Sequence, residues 1–485
     1  MRLGETKAKM SHKTYSYSLE TEIPPTYTQN LMDFLHREYV LGQERPFTDV
    51  ARGVTDGEPS ISFVVPDQMD RKILSVEVRG SNPAKLKITK LDDSVPEEKV
   101  EEVRQDITIV VDLFEENVTK STIFFAWREG EAVLPEKLRG RENQPINRIF
   151  LETQILLFLV LIVGSIFLFQ VAGSIAPFLL LAIQFVFVFY SNKIVSRAAD
   201  WRITERNPTI HLLEYHAPWE EHGLFNKKFP KEKLAELKKE VYEQTIAKKG
   251  EIDSETVHQI FLRNGIECKP ENLTTKKINV YDLVKRTAGK FGFPTPEVVV
   301  SNSIIPNASA SGPSPGRGIV LITTGLLVHL KDEEIISVLG HEFGHLKARD
   351  PLLLFGLTSI QYLLLFYVLW NFLAASPFLF FLYYYAVMTA IFFVAKFFEA
   401  RADLLSAIVI GQPQVLATAL ERIGFKRLLY ERVPSYRVQE WISLEPHPPI
   451  YFRINRLGSI KTPVNISHPL LQSIKDVTQG FIKSL

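Results

Sequence analysis

Four uncharged, apolar runs constrain this chain of 485 residues more than any other feature. They occupy residues 155–173, 174–190, 351–375 and 377–395. Each run is close to the ~20 residues that a helix needs to cross ~30 Å of hydrocarbon. A glycine-serine step or a single serine separates the two runs of each pair, so the pattern predicts two transmembrane hairpins. For the first pair, a hairpin buried in a protein core is the alternative.

Basic residues flank both pairs of runs, whereas the turns within the pairs carry no charge. The flanking residues are Lys137, Arg139, Arg141, Arg148, Lys193, Arg197, Arg202, Arg206, Lys347, Arg349, Lys396 and Arg401. Loops rich in Lys and Arg stay on the cytoplasmic side of a membrane. We therefore expect a multi-pass protein of the cell membrane, embedded in the lipid bilayer, with both termini and the segment between the hairpins in the cytoplasm.

Composition limits the partners and the kind of metal site. The net charge of +1 gives no reason to expect a nucleic-acid partner. Cys268 is the single cysteine, so an intramolecular disulfide and a Cys-rich metal site are both excluded. Any metal ion would have to be held by histidines and carboxylates.

Residues 14–135 have the pattern of a soluble α+β domain, with short apolar stretches split by Pro and Gly. We expect strands at 15–23, 61–65, 73–78, 85–89 and 122–127 and helices at 27–40 and after a capping box formed by Ser94 and Glu97. Two roles are open for this domain, a regulatory or substrate-selecting module and a stabilising appendage. The polar segment 201–278 is expected to be mainly helical.

The segment Val338–Lys347 contains H-E-x-x-H within a helical pattern. In a helix, positions i and i+4 share one face, so His341 and His345 can present two imidazoles to one Zn²⁺ ion. Glu342 then lies beside the ion, where a carboxylate can carry a proton from a water molecule to a leaving amine. Coincidence is the alternative, because such a motif should arise by chance in roughly one chain in a hundred of this length.

A third ligand is expected where the second hairpin returns to its starting side of the membrane. Glu399 follows the last apolar run by about one helical turn, and at ~1.5 Å per residue it reaches a height similar to that of His345. It can therefore complete a His₂Glu site that keeps a fourth position for water, as catalytic zinc sites do. Asp403, one turn further, is expected to accept the free ring N–H of a ligating histidine. An ordinary charged residue beyond a membrane helix is the alternative for Glu399.

A short polar segment precedes the strand that we expect at 318–323. It contains Asn307, Ala308, Ser309 and Ala310. An edge strand with such short side chains can bind an extended peptide by backbone pairing. A plain surface turn is the alternative.

Together these motifs resemble the HtpX-like membrane zinc metalloproteases and, more distantly, the CAAX prenyl proteases. The resemblance covers residues 280 to about 457 and the first hairpin, and it is carried by residues 307–312 (NASASG), 318–327 (GIVLITTGLL), 339–345 (LGHEFGH), 399–403 (EARAD), 447–449 (HPP) and 453–454 (RI). The family implies Zn²⁺, a gluzincin-like zincin domain, and endopeptidase activity on membrane or misfolded proteins at the cytoplasmic membrane surface. It also implies that His447 and Arg453 support the substrate or the developing oxyanion. Packing at a helix start is the alternative for both.

The expected fold is therefore an α+β integral membrane protein with four transmembrane helices in two hairpins and a zincin-type catalytic domain with a small sheet. Its segments are an N-terminal soluble α+β domain (1–147), a first hairpin (148–200), a helical polar insertion (201–278), a zincin core with the edge strand and the H-E-x-x-H helix (279–350), a second hairpin (351–396), and the third-ligand helix with the rest of the catalytic domain (397–485). The N-terminal domain and residues 209–275 have no counterpart in the family pattern.

Polypeptides are thus the expected substrates, and two other functions compete with this one. An inactive metalloprotease-like scaffold that binds client proteins is one, although all expected ligands are present. A CAAX-type C-terminal processing protease is another, and the expected spans are fewer than in that family. A transporter is disfavoured because the apolar runs contain no charged residues that could line a substrate pathway.

Overall fold

A computed structural model of the chain describes residues 13–19, 21, 23, 27–41, 47–67, 69–118, 123–130, 164–165, 167–216, 229–373, 376–431 and 434–484. The chain divides into two compact units, one of residues 1–121 and 216–221 and the other of residues 122–215 and 222–485. We call them the N-terminal unit and the main unit.

The described part of the N-terminal unit is an antiparallel sheet with helices. Its elements are β1 (Thr14–Leu19), α1 (Thr28–Phe34, continued by a π-helical turn over Leu35–Val40), β2 (Thr48–Thr55), β3 (Glu58–Pro66), β4 (Lys72–Arg79), β5 (Ala84–Lys90) and α2 (Glu97–Val118). The strand order is β1-β5-β4-β3-β2. Leu74, Val76 and Val78 of β4 are fully buried, as expected when every second side chain of a strand faces the core. The predicted strands at 61–65, 73–78 and 85–89 overlap β3, β4 and β5.

Three details of this region differ from the sequence prediction. The capping box does not form, because the Ser94 hydroxyl donates to Asp92 at 2.7 Å and the Glu97 carboxylate accepts from Lys13 at 2.9 Å. The strand expected to close the N-terminal domain belongs to the main unit, where Ile123–Arg128 pairs with residues 209–215. The sequence does not predict strand β2, because its residues are largely exposed and show no apolar alternation.

The main unit combines two small sheets with many helices. Its described elements are β6 (Ile123–Arg128), α3 (Ala176–Phe189), α4 (Ser191–Ala198), β7 (Trp201–Ile203), β8 (Thr209–Tyr215), α5 (Lys231–Gln244), α6 (Ile246–Lys249), α7 (Ser254–Arg263), β9 (Leu273–Asn279), α8 (Val280–Phe291), β10 (Glu297–Ser301), β11 (Ala308–Ser311), β12 (Ile319–Thr323), α9 (Thr324–His329), α10 (Asp332–Ala348), α11 (Asp350–Leu364), α12 (Trp370–Leu373), α13 (Pro377–Ile410), α14 (Pro413–Glu431), α15 (Pro434–Ile442), α16 (Ile450–Ser459) and α17 (Pro469–Ser484).

The sheets of the main unit explain why residues 201–278 are only partly helical. One sheet has the order β6-β8-β9 and the other the order β11-β12-β10-β7. Among the described residues of the segment, its ends form β7, β8 and β9, and its middle forms α5, α6 and α7. In the second sheet β10 and β12 are parallel, and β11 pairs antiparallel with β12 at the edge.

One apolar core joins both sheets to helices α8 and α10. Leu283 of α8, Ile322 of β12 and Leu339 and Phe343 of α10 are all at most 2% exposed within it. The apolar face of α10 is thereby fixed against the sheet. The H-E-x-x-H motif of the same helix is held beside β11.

Three helices in the described residues are long and apolar enough to cross a membrane, namely Phe167–Phe189, Asp350–Leu369 and Pro377–Ile410. The first predicted run, 155–173, lies mostly outside the described residues, so the prediction of four spans stays a prediction. Gly173 adopts a left-handed backbone conformation (φ 55°) at the predicted turn, and the adjacent 3₁₀ turn is consistent with a break there. The Tyr367 hydroxyl donates to the carbonyl of Ser174 at 2.5 Å and so links two of these helices.

Candidate active site

Two glycines of the H-E-x-x-H helix α10 let it approach α13 closely. A Cβ atom on Gly340 would lie 2.7 Å from the Ser406 hydroxyl, and one on Gly344 would lie 3.0 Å from the Cα of Ala402. Across the same contact, the Ser406 hydroxyl donates to the backbone carbonyl of Ser337 at 2.8 Å. This close packing carries the side chains of α13 to the histidines of α10.

The two helices bring His341, His345 and Glu399 together. Nε2 of His341 lies 3.3 Å from one carboxylate oxygen of Glu399, and Nε2 of His345 lies 3.4 Å from the other. The two Nε2 atoms are 3.2 Å apart, and one ligand atom from each of the three residues lies within 4.8 Å of the others. Three potential metal ligands therefore converge on one point.

The donor set fits a divalent metal ion. The buried Oε2 of Glu399 accepts no hydrogen bond from any described residue, although ring nitrogens of His341 and His447 lie 3.3 and 3.4 Å from it. An isolated buried carboxylate oxygen is costly, and a bound cation would satisfy it. Two imidazoles and one carboxylate form a ligand set that suits a transition metal and leaves a coordination position open.

A buried carboxylate holds the far side of the His341 ring. Oδ1 of Asp403 lies 2.8 Å from Nδ1 of His341. Arg453 donates to both oxygens of Asp403, at 2.7 and 2.9 Å, in a bidentate pair. Such a carboxylate fixes the ring tautomer, so that Nδ1 carries the proton and Nε2 presents its lone pair.

A second carboxylate, which the sequence reasoning missed, holds His345 in the same way. Oδ2 of Asp350 lies 2.7 Å from Nδ1 of His345, and Arg401 donates to the other oxygen of Asp350. Residues five apart do not share a face of a continuous helix. Here Arg349 is left-handed (φ 55°) and ends α10, so the chain turns and Asp350 points back to the histidine. An aspartate just beyond the helix end was the available signal.

Glu342 lies between the three candidate metal ligands and the edge strand. Its Oε2 accepts the backbone N–H of Ala310 at 2.9 Å. The predicted base and the predicted substrate strand are thus in direct contact. Any group bound at the ligand cluster would be next to a carboxylate on one side and an open strand edge on the other.

The four residues expected to bind substrate lie in or beside β11. Asn307 is tied to β12 by its carbonyl oxygen, which accepts the N–H of Thr323 at 3.0 Å. Hydrogen bonds in an antiparallel ladder alternate, so the N–H and C=O of Ala308 and Ala310 point to the open edge, whereas those of Ser309 face β12. Among the described residues, these outward groups face no other strand, and the N–H of Ala310 donates to Glu342.

Comparison with known proteins identifies the family of this chain. The sequence profile of the family described as "Peptidase family M48" matches residues 275–461. A protease HtpX homolog of Tropheryma whipplei is 30% identical over 208 residues, which are 37% of this chain and 71% of that protein. The chain belongs to the HtpX-like proteins of peptidase family M48. The family resemblance predicted from the sequence is confirmed.

Other HtpX-like relatives match shorter segments. A protease HtpX homolog of Thermodesulfovibrio yellowstonii is 45% identical over 74 residues, which are 15% of this chain and 26% of that protein. Protease HtpX homolog 2 of Methanosarcina acetivorans is 31% identical over 171 residues, which are 32% of this chain and 57% of that protein. The chain thus spans between about a quarter and three fifths of these two relatives, and the N-terminal unit lies outside the family match.

Two further residues, which the sequence resemblance singles out, lie near the ligand cluster. His447 is half-buried, and its Nε2 lies 3.4 Å from Oε2 of Glu399. Arg453 is buried behind His341, where its guanidinium group bonds Asp403 and lies 3.4 Å from Nδ1 of the histidine. Of the two, His447 is therefore nearer to the open side of this HtpX-like site.

The electrostatic surroundings favour positive charge at the histidines. Burial lowers the pKa of His341, but the carboxylates of Asp403 beside Nδ1 and of Glu399 near Nε2 outweigh burial and raise the pKa above the ordinary value. Burial likewise opposes the protonation of His345, and the charge of Glu399 outweighs it, so this pKa is raised too. Burial raises the pKa of the Glu342 carboxyl group. A metal ion would compete with protons for the two Nε2 atoms.

The pKa of His447 is lowered, although the Glu399 carboxylate lies beside this residue too. The negative charge of Glu399 favours protonation of His447, but burial and the positive charges of Arg453 and His341 outweigh it and lower the pKa of His447. A neutral imidazole at this position can donate a hydrogen bond from one ring nitrogen without adding charge beside the metal ligands.

Proposed function

We propose that this protein is a membrane-embedded, Zn²⁺-dependent endopeptidase that cleaves membrane or misfolded proteins at the cytoplasmic membrane surface. The observation that carries the proposal is the convergence of His341, His345 and Glu399 beside Glu342 and an open strand edge. Family membership supports peptidase chemistry, and the apolar helices support a membrane location. The proposal includes four spans in two hairpins, with both termini and the site in the cytoplasm.

In the proposed mechanism, His341, His345 and Glu399 would hold the ion. When bound, the ion supplies a Lewis acid that polarises the scissile carbonyl and lowers the pKa of a water molecule. Glu342 takes a proton from that water and gives it to the leaving amine, for which its buried, raised-pKa carboxyl group is suited. Asp403 keeps the Nδ1 proton on His341, so that Nε2 faces the site.

The remaining residues have proposed roles in positioning. The outward N–H and C=O groups of Ala308 and Ala310 would hold the substrate as an added strand, once Ala310 releases Glu342. His447 would donate to the substrate or to the developing oxyanion. The contacts of Arg453 favour a role through Asp403 rather than on the substrate itself.

Glu342→Gln tests the proposal most directly. The variant keeps all three ligands but has no group that can accept the proton, so we expect it to bind Zn²⁺ like the wild type and to lose at least about 99% of casein cleavage. Glu333→Gln, an exposed residue in the first turn of the same helix, is the matched control and should leave both properties unchanged.

Metal analysis of the detergent-solubilised protein and casein cleavage with and without a chelator are the two measurements. Wild-type turnover by Glu342→Gln would remove the proposed base. Zinc bound without any chelator-sensitive cleavage would instead support an inactive scaffold that binds client proteins.

A further inference from the structure

One end of the sheet that carries β11 lies beside the ends of the apolar helices. The guanidinium group of Arg317, in the turn between β11 and β12, lies over the ring of Phe189 at 5.1 Å. Phe189 is the last residue of a candidate span. A Cβ atom on Gly318, in the same turn, would lie 2.9 Å from Leu346, which stands one helical turn before the next span begins. The last residue of β11 therefore lies toward the bilayer.

The opposite end of the sheet lies farther from the bilayer. Helix α4 leaves the span and runs for 8 residues, which is ~12 Å, before the chain reaches Asp200. The Asp200 carboxylate accepts the N–H of Asn302, which follows the end of β10. Asn307 pairs with Thr323 at this same end of the sheet. Strand β11 thus runs from the solvent side toward the membrane.

The open edge of β11 favours one direction for an added peptide. Ala308 and Ala310 direct both backbone groups away from β12, as the ladder alternation requires. An antiparallel peptide can exchange two hydrogen bonds with Ala308 through a single residue, and antiparallel pairing is the more stable arrangement per residue. Such a peptide has its N-terminal side at the membrane end of β11 and its C-terminal side toward the solvent.

We infer that the cleft accepts membrane-anchored substrates in which the anchor lies N-terminal to the cleaved bond. The substrate class is a cytoplasmic segment that directly follows a transmembrane helix. This inference rests on the proposed peptidase function and adds a direction to it. A segment that precedes its anchor enters the membrane at its C-terminal side. To pair antiparallel with β11, it must leave the cleft at the solvent end and then turn back to reach its anchor.

The two arrangements need different lengths of chain. Asp350, the first residue of a span, contacts the ring of His345 at 2.7 Å, so the site stands within roughly 10 Å of the end of the apolar region. An N-terminal anchor can reach the site through about three extended residues of ~3.3 Å each. A C-terminal anchor needs a turn and a return path along the cleft, which takes roughly ten further residues.

Paired reporters test this direction. Both contain one casein segment that the enzyme cuts, placed after the transmembrane anchor in one reporter and before it in the other, with linkers of about 4 or about 16 residues. They are reconstituted with the zinc-loaded, full-length protein in lipid nanodiscs, where random orientation lowers both rates equally. With the short linker we expect the N-terminally anchored reporter to be cut at least about tenfold faster, and with the long linker we expect rates within about twofold.

The same casein segment without an anchor separates this inference from the proposed function. If the wild-type protein does not cut the free segment, the proposed peptidase function fails and the inference falls with it. If the free segment is cut but the two short-linker reporters are cut at equal rates, or the C-terminally anchored one faster, the inference is overturned while the proposed function stands. Glu342→Gln in the same nanodiscs provides the background rate.

Discussion

The N-terminal unit and the candidate site place their charged residues in opposite surroundings. In the N-terminal unit, Lys85 and Glu58 pair at the surface, where 56% and 27% of their side chains are exposed. At the site, Arg453 and Asp403 pair with 7% and 1% exposed. A surface pair contributes about 0–1 kcal/mol, whereas a buried pair costs desolvation free energy that its attraction roughly offsets. The buried pairs are therefore better explained by the histidine geometry that they fix than by stability.

The two regions also differ in their similarity to known proteins. The family match covers residues 275–461, which include the candidate metal-ligand cluster, and leaves the N-terminal unit outside. Among the described residues, the cluster that could hold a metal ion lies in the main unit. The described part of the N-terminal unit thus combines surface charge pairs with a packed sheet.

Of the substitutions considered, the replacement of Arg453 is expected to lower the free energy of unfolding most. Arg453→Met leaves Asp403 buried without its guanidinium partner, and we expect a loss of about 3–5 kcal/mol in the free energy of unfolding. Lys85→Met, which removes the surface partner of Glu58, should cost at most about 1 kcal/mol. Thermal unfolding of both variants in detergent measures the difference. Equal shifts for the two variants would mean that burial does not separate the regions.

Asp350 sharpens the comparison because the sequence alone does not predict its position. Asp350→Asn removes the charge that holds Nδ1 of His345, and we expect metal affinity to fall about ten- to a hundredfold. Asp56→Asn, at a carboxylate of the N-terminal unit with 77% of its side chain exposed, is the control and should not change affinity. A competition titration with a chromophoric chelator measures both. Unchanged affinity in Asp350→Asn would refute a role in orienting His345.

Glycine substitutions test the close helix contact, with the smallest expected effect. Gly344→Ala puts a Cβ atom 3.0 Å from the Cα of Ala402, so α10 and α13 must separate by a few tenths of an ångström. We expect a loss of about 1–2 kcal/mol and less bound zinc per protein, because Glu399 moves with α13. In the N-terminal unit, Gly53→Ala meets no atom within 4 Å and should change neither quantity. Full zinc content and an unshifted unfolding midpoint in Gly344→Ala would show that the contact is not needed.

Much of this architecture follows from local patterns. The apolar runs after Asp350 and Pro377 predict the helices found there, because length and hydropathy decide whether a segment can span a bilayer. His341 and His345 share a helix face because of the i, i+4 spacing alone. The depth argument for Glu399 also needs only helical rise and the return of the second hairpin.

Other features depend on contacts between distant segments. The apolar pattern of the 123–128 strand would suit either unit. Its pairing with β8 places it in the main unit. β2 is exposed at a sheet edge and gives no periodic signal. Ser94 and Glu97 have the spacing of a capping box, but Asp92 and Lys13 offer them other partners. Local spacing cannot rank such competing partners.

The sequence by itself determined the chemistry of the candidate ligands, their helical spacing and the apolar helices, because each of these follows from neighbouring residues. The tertiary structure alone decided that Asp350 turns back to His345, that glycines bring α10 onto α13, and that β11 runs toward the ends of the apolar helices. These depend on a left-handed residue, on close packing and on strand order. None of the three leaves a periodic signal in the chain.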